Sequence, residues 1–164
     1  MTLRKLKNYI DGRWAESATG EYLDVMNPAS GEAIAEVPLS TNNDVERAVA
    51  AAREAFPGWR ETPPLTRARY MFRLKELMEE NLEGLARIIT EEEGKTLEES
   101  RGEMRRGIEN VEVAAGIPSM MMGYNLEDVA KDIDCVAVRQ PVGVFAAIAP
   151  FNFPAMVPLW FLPF

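Results

Sequence analysis

Few residues in this 164-residue chain could do chemistry, and their types are restrictive. There is no histidine. That removes the commonest general base, the commonest metal ligand and any Ser-His pair; no metal site is expected. Cys135 is the single cysteine and so the only sulfur nucleophile. Reactive cysteines sit beside a cation, a helix N-terminus or a base. Cys135 instead follows Asp132 and Asp134 in a β-branched run, and it reads as structural. Two other residues stand out. Asn152 is the lone polar side chain of Pro150-Phe151-Asn152-Phe153-Pro154, a proline-bracketed loop after an apolar run. Its amide could donate to a carbonyl oxygen, or it could bond its own backbone in a turn. Arg106 lies where the charged half of a predicted helix meets its apolar half. It reads either as paired with Glu103, Glu109 or another surface acid, or as an anion ligand facing a site.

Composition narrows the setting. Apolar residues make up 47% of the chain, enough for a buried core in one domain. The net charge of −8 makes a nucleic-acid backbone a poor partner. One cysteine permits no internal disulfide, which fits a reducing, cytoplasmic setting. The basic N-terminal residues are followed by no apolar run, so they are not a secretory signal. Gln140 to Phe164 carries no charge and is long enough to span a bilayer. Pro141, Pro150, Pro154, Pro158 and Pro163 interrupt it, and each internal proline costs a helix about 3 kcal/mol. A membrane span is therefore not expected.

The elements that must position Asn152 and Arg106 can be read in order. Asp11-Gly12 between aromatic-bearing runs predicts a hairpin over residues 6–15. Tyr22 to Met26 and Ala33 to Val37 flank the turn cluster Asn27-Pro28-Ala29-Ser30-Gly31 and predict a second hairpin. A first helix starts near Thr41 to Asp44, carries the stripe Val45, Ala48, Val49, Ala52, Phe56, and is expected to end at Pro57-Gly58. A second helix follows Pro63-Pro64, with a phase change near Asn81 and a third short stripe ending at Gly94. A fourth runs from about Thr96 to Gly116, stopped by Pro118. Met120, Met121 and Met122 are expected to fill core gaps. Residues 133–139 predict a strand. Val144 to Ala149, apolar on both faces, predicts a buried strand. Ala155 to Leu162 predicts the start of a helix. Strand, tight turn and helix open a βαβ unit, whose ligand lies at the strand's carboxyl end. There is no Gly-x-Gly-x-x-Gly fingerprint.

Residues 143–154 resemble the aldehyde dehydrogenase superfamily, whose members share a strand followed by Pro-aromatic-Asn-aromatic-Pro. Tyr9-Ile10-Asp11-Gly12-Arg13-Trp14, Asn27 to Gly31, Ala55-Phe56-Pro57-Gly58-Trp59, Glu93-Gly94-Lys95 and Arg139 to Val144 agree in order. The resemblance covers essentially the whole chain. Arg106 to Glu112, Ala114 to Ser119, Met121-Met122-Gly123 and Ala149 to Trp160 look like the CoA-acylating methylmalonate-semialdehyde dehydrogenase branch.

The resemblance implies an α/β fold with β-hairpins and a helical layer leading into the first strand of a Rossmann-like parallel sheet, truncated. Residues 1–131 would be the hairpins and helices of the cofactor-binding domain, 132–141 a strand of the oligomerisation arm, and 142–164 the start of the Rossmann-like sheet. It implies oxidation of methylmalonate or malonate semialdehyde to propionyl- or acetyl-CoA with loss of CO2, NAD accepting the hydride and CoA the acyl group. The branch serves valine and inositol breakdown, in a homotetramer or dimer. Asn152 matches the oxyanion-hole asparagine, Ala149 and Phe151 the cofactor cleft, Phe153 an aromatic near the substrate tunnel, and Arg106 an arginine holding the substrate carboxylate. The family's catalytic cysteine, general-base glutamate and ribose-binding lysine fall later than Phe164. The chain alone is therefore expected to be inactive. The alternatives are a noncatalytic interaction domain of the same ancestry, or another semialdehyde dehydrogenase branch.

Overall fold

The computed structural model describes residues 3–164. Three short strands open the chain: β1 (Arg4–Lys5), β2 (Asn8–Ile10) and β3 (Arg13–Ala15). β2 and β3 form the expected hairpin, pairing Tyr9 with Trp14. Asp11 and Gly12 both take positive φ, 53° and 71°, as a two-residue primed turn requires. β4 (Tyr22–Asn27) and β5 (Glu32–Pro38) form the second hairpin. Its turn is held by Asn27 Oδ1, which accepts the N–H of Ala29 at 2.9 Å. β1, too short to read from sequence, pairs parallel to β5 and completes a three-stranded sheet in the order β1-β5-β4.

Five helices follow: α1 (Asn42–Glu61), α2 (Pro64–Glu80), α3 (Leu82–Glu93), α4 (Leu97–Ala115) and α5 (Ile117–Met120). α1 runs through Pro57-Gly58, where the sequence predicts a stop, and ends at Glu61. Its apolar stripe stays largely outside the core, with Val45 57% exposed. Asp44 is instead its buried residue. The carboxylate accepts the N–H of Thr41 at 2.9 Å and the hydroxyl of Ser17 at 2.6 Å, so it fastens the β3–β4 connection to the helix start.

The core lies among α2, α3 and α4: Met78, Ala86, Ile89, Met104, Ile108 and Val111. Ala155 and Leu159, from the far end of the chain, close it. Gly107 permits that closure, because a Cβ there would lie 2.7 Å from Leu159 Cδ1. α4 is the central helix. Arg105 makes two hydrogen bonds to Glu79 of α2, at 2.6 and 2.9 Å. Arg101 makes two to Glu83 of α3, both 2.9 Å. Both carboxyls are held below the usual range, chiefly by those guanidinium hydrogen bonds. Such bidentate pairs fix helix register more than exposed single contacts can.

The C-terminal part departs from the sequence expectations. The strand at 133–139 appears as β7 (Ile133–Ala137), and it pairs antiparallel with β6 (Tyr124–Ala130), which the sequence reading missed. All residues of this hairpin are exposed. Cys135 is exposed on β7 and so fills no core position. The methionines do not fill a core gap either: Met120 and Met122 are 47% and 71% exposed, and only Met121 is partly covered. Residues 138–150 form no strand. A strand is made by its neighbours' hydrogen bonds, and no strand of the described chain lies beside Val144 to Ala149; Phe145 and Ile148 are 79% and 99% exposed. The expected helix at 155–162 is a run of turns with one short 3-10 helix, Pro158–Trp160. Among the described residues no helix is long and apolar enough to cross a membrane.

Candidate active site

The joint between α3 and α4 builds the site. α3 ends at Gly94, whose φ of 90° reverses the chain as a left-handed cap. α4 restarts two residues later with a reciprocal cap: Glu99 N–H donates to Thr96 Oγ1 at 3.3 Å, and Glu99 Oε2 accepts the N–H of Thr96 at 3.0 Å. The Thr96 hydroxyl, which donates to Glu99 Oε2 at 2.7 Å, and then the Thr96 N–H hold the Glu99 carboxyl below its usual range. Lys95 is thereby trapped between two fixed helix ends, with only 11% of its side chain exposed.

From there Lys95 reaches four groups, the most distant acid being Glu93, with Oε2 3.8 Å from Nζ. Its Nζ donates to Glu103 Oε2 at 2.7 Å and to the backbone oxygen of Asn152 at 2.9 Å. It also lies 4.3 Å from the centre of the Phe153 ring, a cation–π contact. Glu103 sits nearly two turns into α4 and is 3% exposed. Its other oxygen, Oε1, accepts the N–H groups of Ala155 at 2.8 Å and Met156 at 3.1 Å. A buried carboxylate needs its charge and lone pairs satisfied, and here a lysine and two consecutive amides do so. The loop carrying Asn152 is thus held on both sides.

Above this pair opens a cavity of about 460 Å³, lined by Glu93, Lys95, Glu99, Gly102, Glu103, Arg106, Asn152 and Phe153. Three of the five residues singled out from the sequence, Arg106, Asn152 and Phe153, therefore meet at one cavity. Ala149 and Phe151 do not line it; both are exposed, Ala149 on the irregular segment before the loop and Phe151 in the loop itself. The pairing alternatives for Arg106 are not realised. Among the described residues it makes no ion pair, while Arg101 and Arg105 on the same helix are both engaged with carboxylates. Nor is a side-chain hydrogen bond of Asn152 found among those residues, so its amide is not spent on its own turn.

Lys95 and Glu103 are the residues that the sequence reading missed. The signal was present in α4: Ser100, Glu103, Gly107, Val111 and Ala114 fall three or four apart and are all buried. A glutamate in the phase of a core stripe is a buried carboxylate in search of partners. Among the described residues, no group of three or more His, Cys, Asp and Glu side chains is placed to hold a metal ion.

A cavity holding an unpaired guanidinium and a free carboxamide, beside a hairpin-and-helix α/β layer, has the character of an anion- and carbonyl-binding half-site. Residues 14–163 match the aldehyde dehydrogenase family, and the chain belongs to it. It is 53% identical over 161 residues to the malonate-semialdehyde dehydrogenase of Bacillus velezensis, and 54% identical to malonate-semialdehyde dehydrogenase 1 of Shouchella clausii. Each alignment covers 98% of this chain and 33% of the relative. The chain thus spans about a third of the length of these curated relatives. Its fold superposes on methylmalonate-semialdehyde dehydrogenase from Oceanimonas doudoroffii with a TM-score of 0.94 at 45% identity, over 98% of this chain and 33% of that one. A protein of Sinorhizobium meliloti assigned to the same activity, solved in complex with NAD, gives 0.93 at 36% identity, over 97% and 32%.

Proposed function

We propose that this chain is the N-terminal part of an NAD-dependent, CoA-acylating dehydrogenase for malonate or methylmalonate semialdehyde, and that its cavity contributes the substrate-carboxylate and oxyanion contacts. One observation carries the reading: Arg106, with no ion pair among the described residues, lines the same cavity as Asn152. A semialdehyde of this class has a carboxylate at one end and an aldehyde at the other. Arg106 offers a planar fork to the carboxylate. Asn152 offers a neutral N–H to the aldehyde oxygen. That hydrogen bond polarises the carbonyl and strengthens as the oxygen becomes an oxyanion. Losing one such donor slows the chemical step about 10²–10³-fold. Phe153 lines the same cavity with an apolar ring. The attacking thiolate and the general base come from residues that follow in the family's order; Cys135, exposed on its hairpin, is not that nucleophile.

Ala149 and Phe151 are the residues proposed for the NAD side. They are exposed, do not line the cavity that holds Asn152, and have no Gly-x-Gly-x-x-Gly cradle beside them, so by themselves they form no dinucleotide cleft. NAD use rests on kinship, including the Sinorhizobium meliloti protein solved with NAD; CoA as co-substrate rests on the branch resemblance. The exposed β6–β7 hairpin fits an oligomerisation arm, in a homotetramer or dimer.

The test is a chimera in which this chain replaces the matching third of the Bacillus velezensis enzyme. It should form NADH from malonate semialdehyde, NAD and CoA, while the 164-residue chain alone forms none. Asn152→Ala should lower kcat of the chimera by about 10²–10³-fold. A chimera whose kcat ignores Asn152→Ala would refute the role of that residue. Turnover by the chain alone would refute the assignment of the missing groups.

A further inference from the structure

We infer that Glu103 and Lys95 are the positioning residues of this site, acting as one clamp that fixes the Asn152 loop. The inference rests on Asn152 being the oxyanion donor, but its geometry stands apart from any activity. The loop has little structure of its own. Residues 138–150 before it are irregular, and those after it form only turns. A side chain on such a segment would sample many directions, and a hydrogen bond to a developing oxyanion demands one.

The clamp supplies that order from α4. Glu103 Oε1 accepts two consecutive amides just past the loop, from Ala155 and Met156. Through Oε2 it holds Lys95, and Lys95 holds the Asn152 carbonyl and covers the Phe153 ring. The backbone is therefore gripped at residue 152 and at residues 155 and 156, with the proline of Phe153-Pro154 between. Both grips lean on the Glu103 carboxylate, with Glu93 a more distant second acid 3.8 Å from Lys95 Nζ, so they should weaken together. The anchoring carboxylate itself is fixed by the α4 backbone, which packs on α2 and α3 through Met104, Ile108 and Val111.

The same arrangement takes one partner away from Arg106. Residues at i and i+3 on a helix are neighbours, so Glu103 is, with Glu109, a natural partner for Arg106. Lys95 and the two amides occupy Glu103 instead. The clamp thus helps leave Arg106 available to an external carboxylate.

The test is amide hydrogen exchange on the 164-residue chain, followed by mass spectrometry of peptides covering residues 153–157. In the native chain the amides of Ala155 and Met156 should be protected. Glu103→Gln should speed their exchange about tenfold or more, the loss expected for bonds to a charged acceptor, with the α2 and α3 core amides unchanged. Glu98→Gln, an exposed acid of the same helix, should leave both amides as they were. Should Glu103→Gln loosen the whole fold, Lys95→Met serves in its place and should also speed exchange in the 153–157 peptide. The double variant Lys95→Met/Glu103→Gln should exchange no faster than Glu103→Gln, since coupled groups do not add. Unchanged protection in the single variants, or additive effects in the double, would overturn the clamp. An intact clamp beside a chimera insensitive to Asn152→Ala would instead count against the oxyanion role alone.

Discussion

Lys95 Nζ lies 2.7 Å from Glu103 Oε2, with the lysine side chain 11% and the glutamate side chain 1% exposed. Removing one partner of a buried pair strands the other charge, at a typical cost of about 3–5 kcal/mol. Glu103 would then turn to the nearest cation, and Arg106 is three residues along the same helix. In the active chimera, Lys95→Met should therefore have two separable effects. It should lower kcat for every aldehyde, because the Asn152 loop loses a grip. It should raise KM about tenfold only for semialdehydes bearing a carboxylate, because Arg106 becomes engaged. Lys95→Met/Glu103→Gln should restore KM but not kcat. Arg106→Leu should cost the carboxylate substrates about 10–100-fold in kcat/KM and simple aldehydes little. Equal loss on both substrate types would make Arg106 a structural residue.

Asp44 gives the fold a defined acid limit. The Ser17 hydroxyl, then the Thr41 amide, hold its pKa down at about 2, against an ordinary 3.8. A carboxylate depressed in the folded state stabilises that state above its unfolded pKa, and the contribution vanishes as pH falls through the folded value. The native chain should thus lose stability to urea between about pH 4 and pH 2. Asp44→Asn should be less stable at neutral pH and show a flatter profile across that window. Profiles of the same shape for both proteins would show that Asp44 does not set the acid limit.

The two N-terminal hairpins, α2 and the α4 stripe were legible because each depends on neighbours in sequence. Asp11-Gly12 demands positive φ wherever it lies, and the apolar spacing from Ile108 to Ala114 reports a buried face. Asn152 and Arg106 were legible as chemical types, through kinship and through the oddity of one amide among aromatics. The clamp was not. Glu103 reads as one more acid in a charged stretch, because its partners, the amides of Ala155 and Met156, lie 52 and 53 residues away and carry no side-chain signature. The strand at Val144 to Ala149 erred in the opposite direction. Its composition suits a buried strand, but hydrogen bonding is supplied by adjacent strands, and none of the described strands runs alongside. α1 overran Pro57 because proline forfeits one hydrogen bond near the end of an otherwise capped helix, and the last turn still closes, with Thr62 N–H donating to Gly58 O at 3.1 Å.

Gly94 couples the fold to the site, and two glycines of α3 and its cap separate conformational from packing effects. Gly94 has φ of 90°, and a Cβ there would lie 2.7 Å from Pro28 Cγ, part of a stiff ring. Alanine at this position meets left-handed strain of about 1–2 kcal/mol and crowding of about 1–3 kcal/mol. Gly84, inside α3, has ordinary φ and nothing within 4 Å of a built Cβ. Alanine there should stabilise by up to about 1 kcal/mol through helix propensity. Urea midpoints should therefore move in opposite directions, down for Gly94→Ala and up for Gly84→Ala, with the slope unchanged. Gly94→Ala should also loosen the 153–157 amides, because the residue it displaces first is Lys95. A Gly94→Ala protein with an unshifted midpoint and full protection of those amides would mean that the α3–α4 joint does not position the lysine.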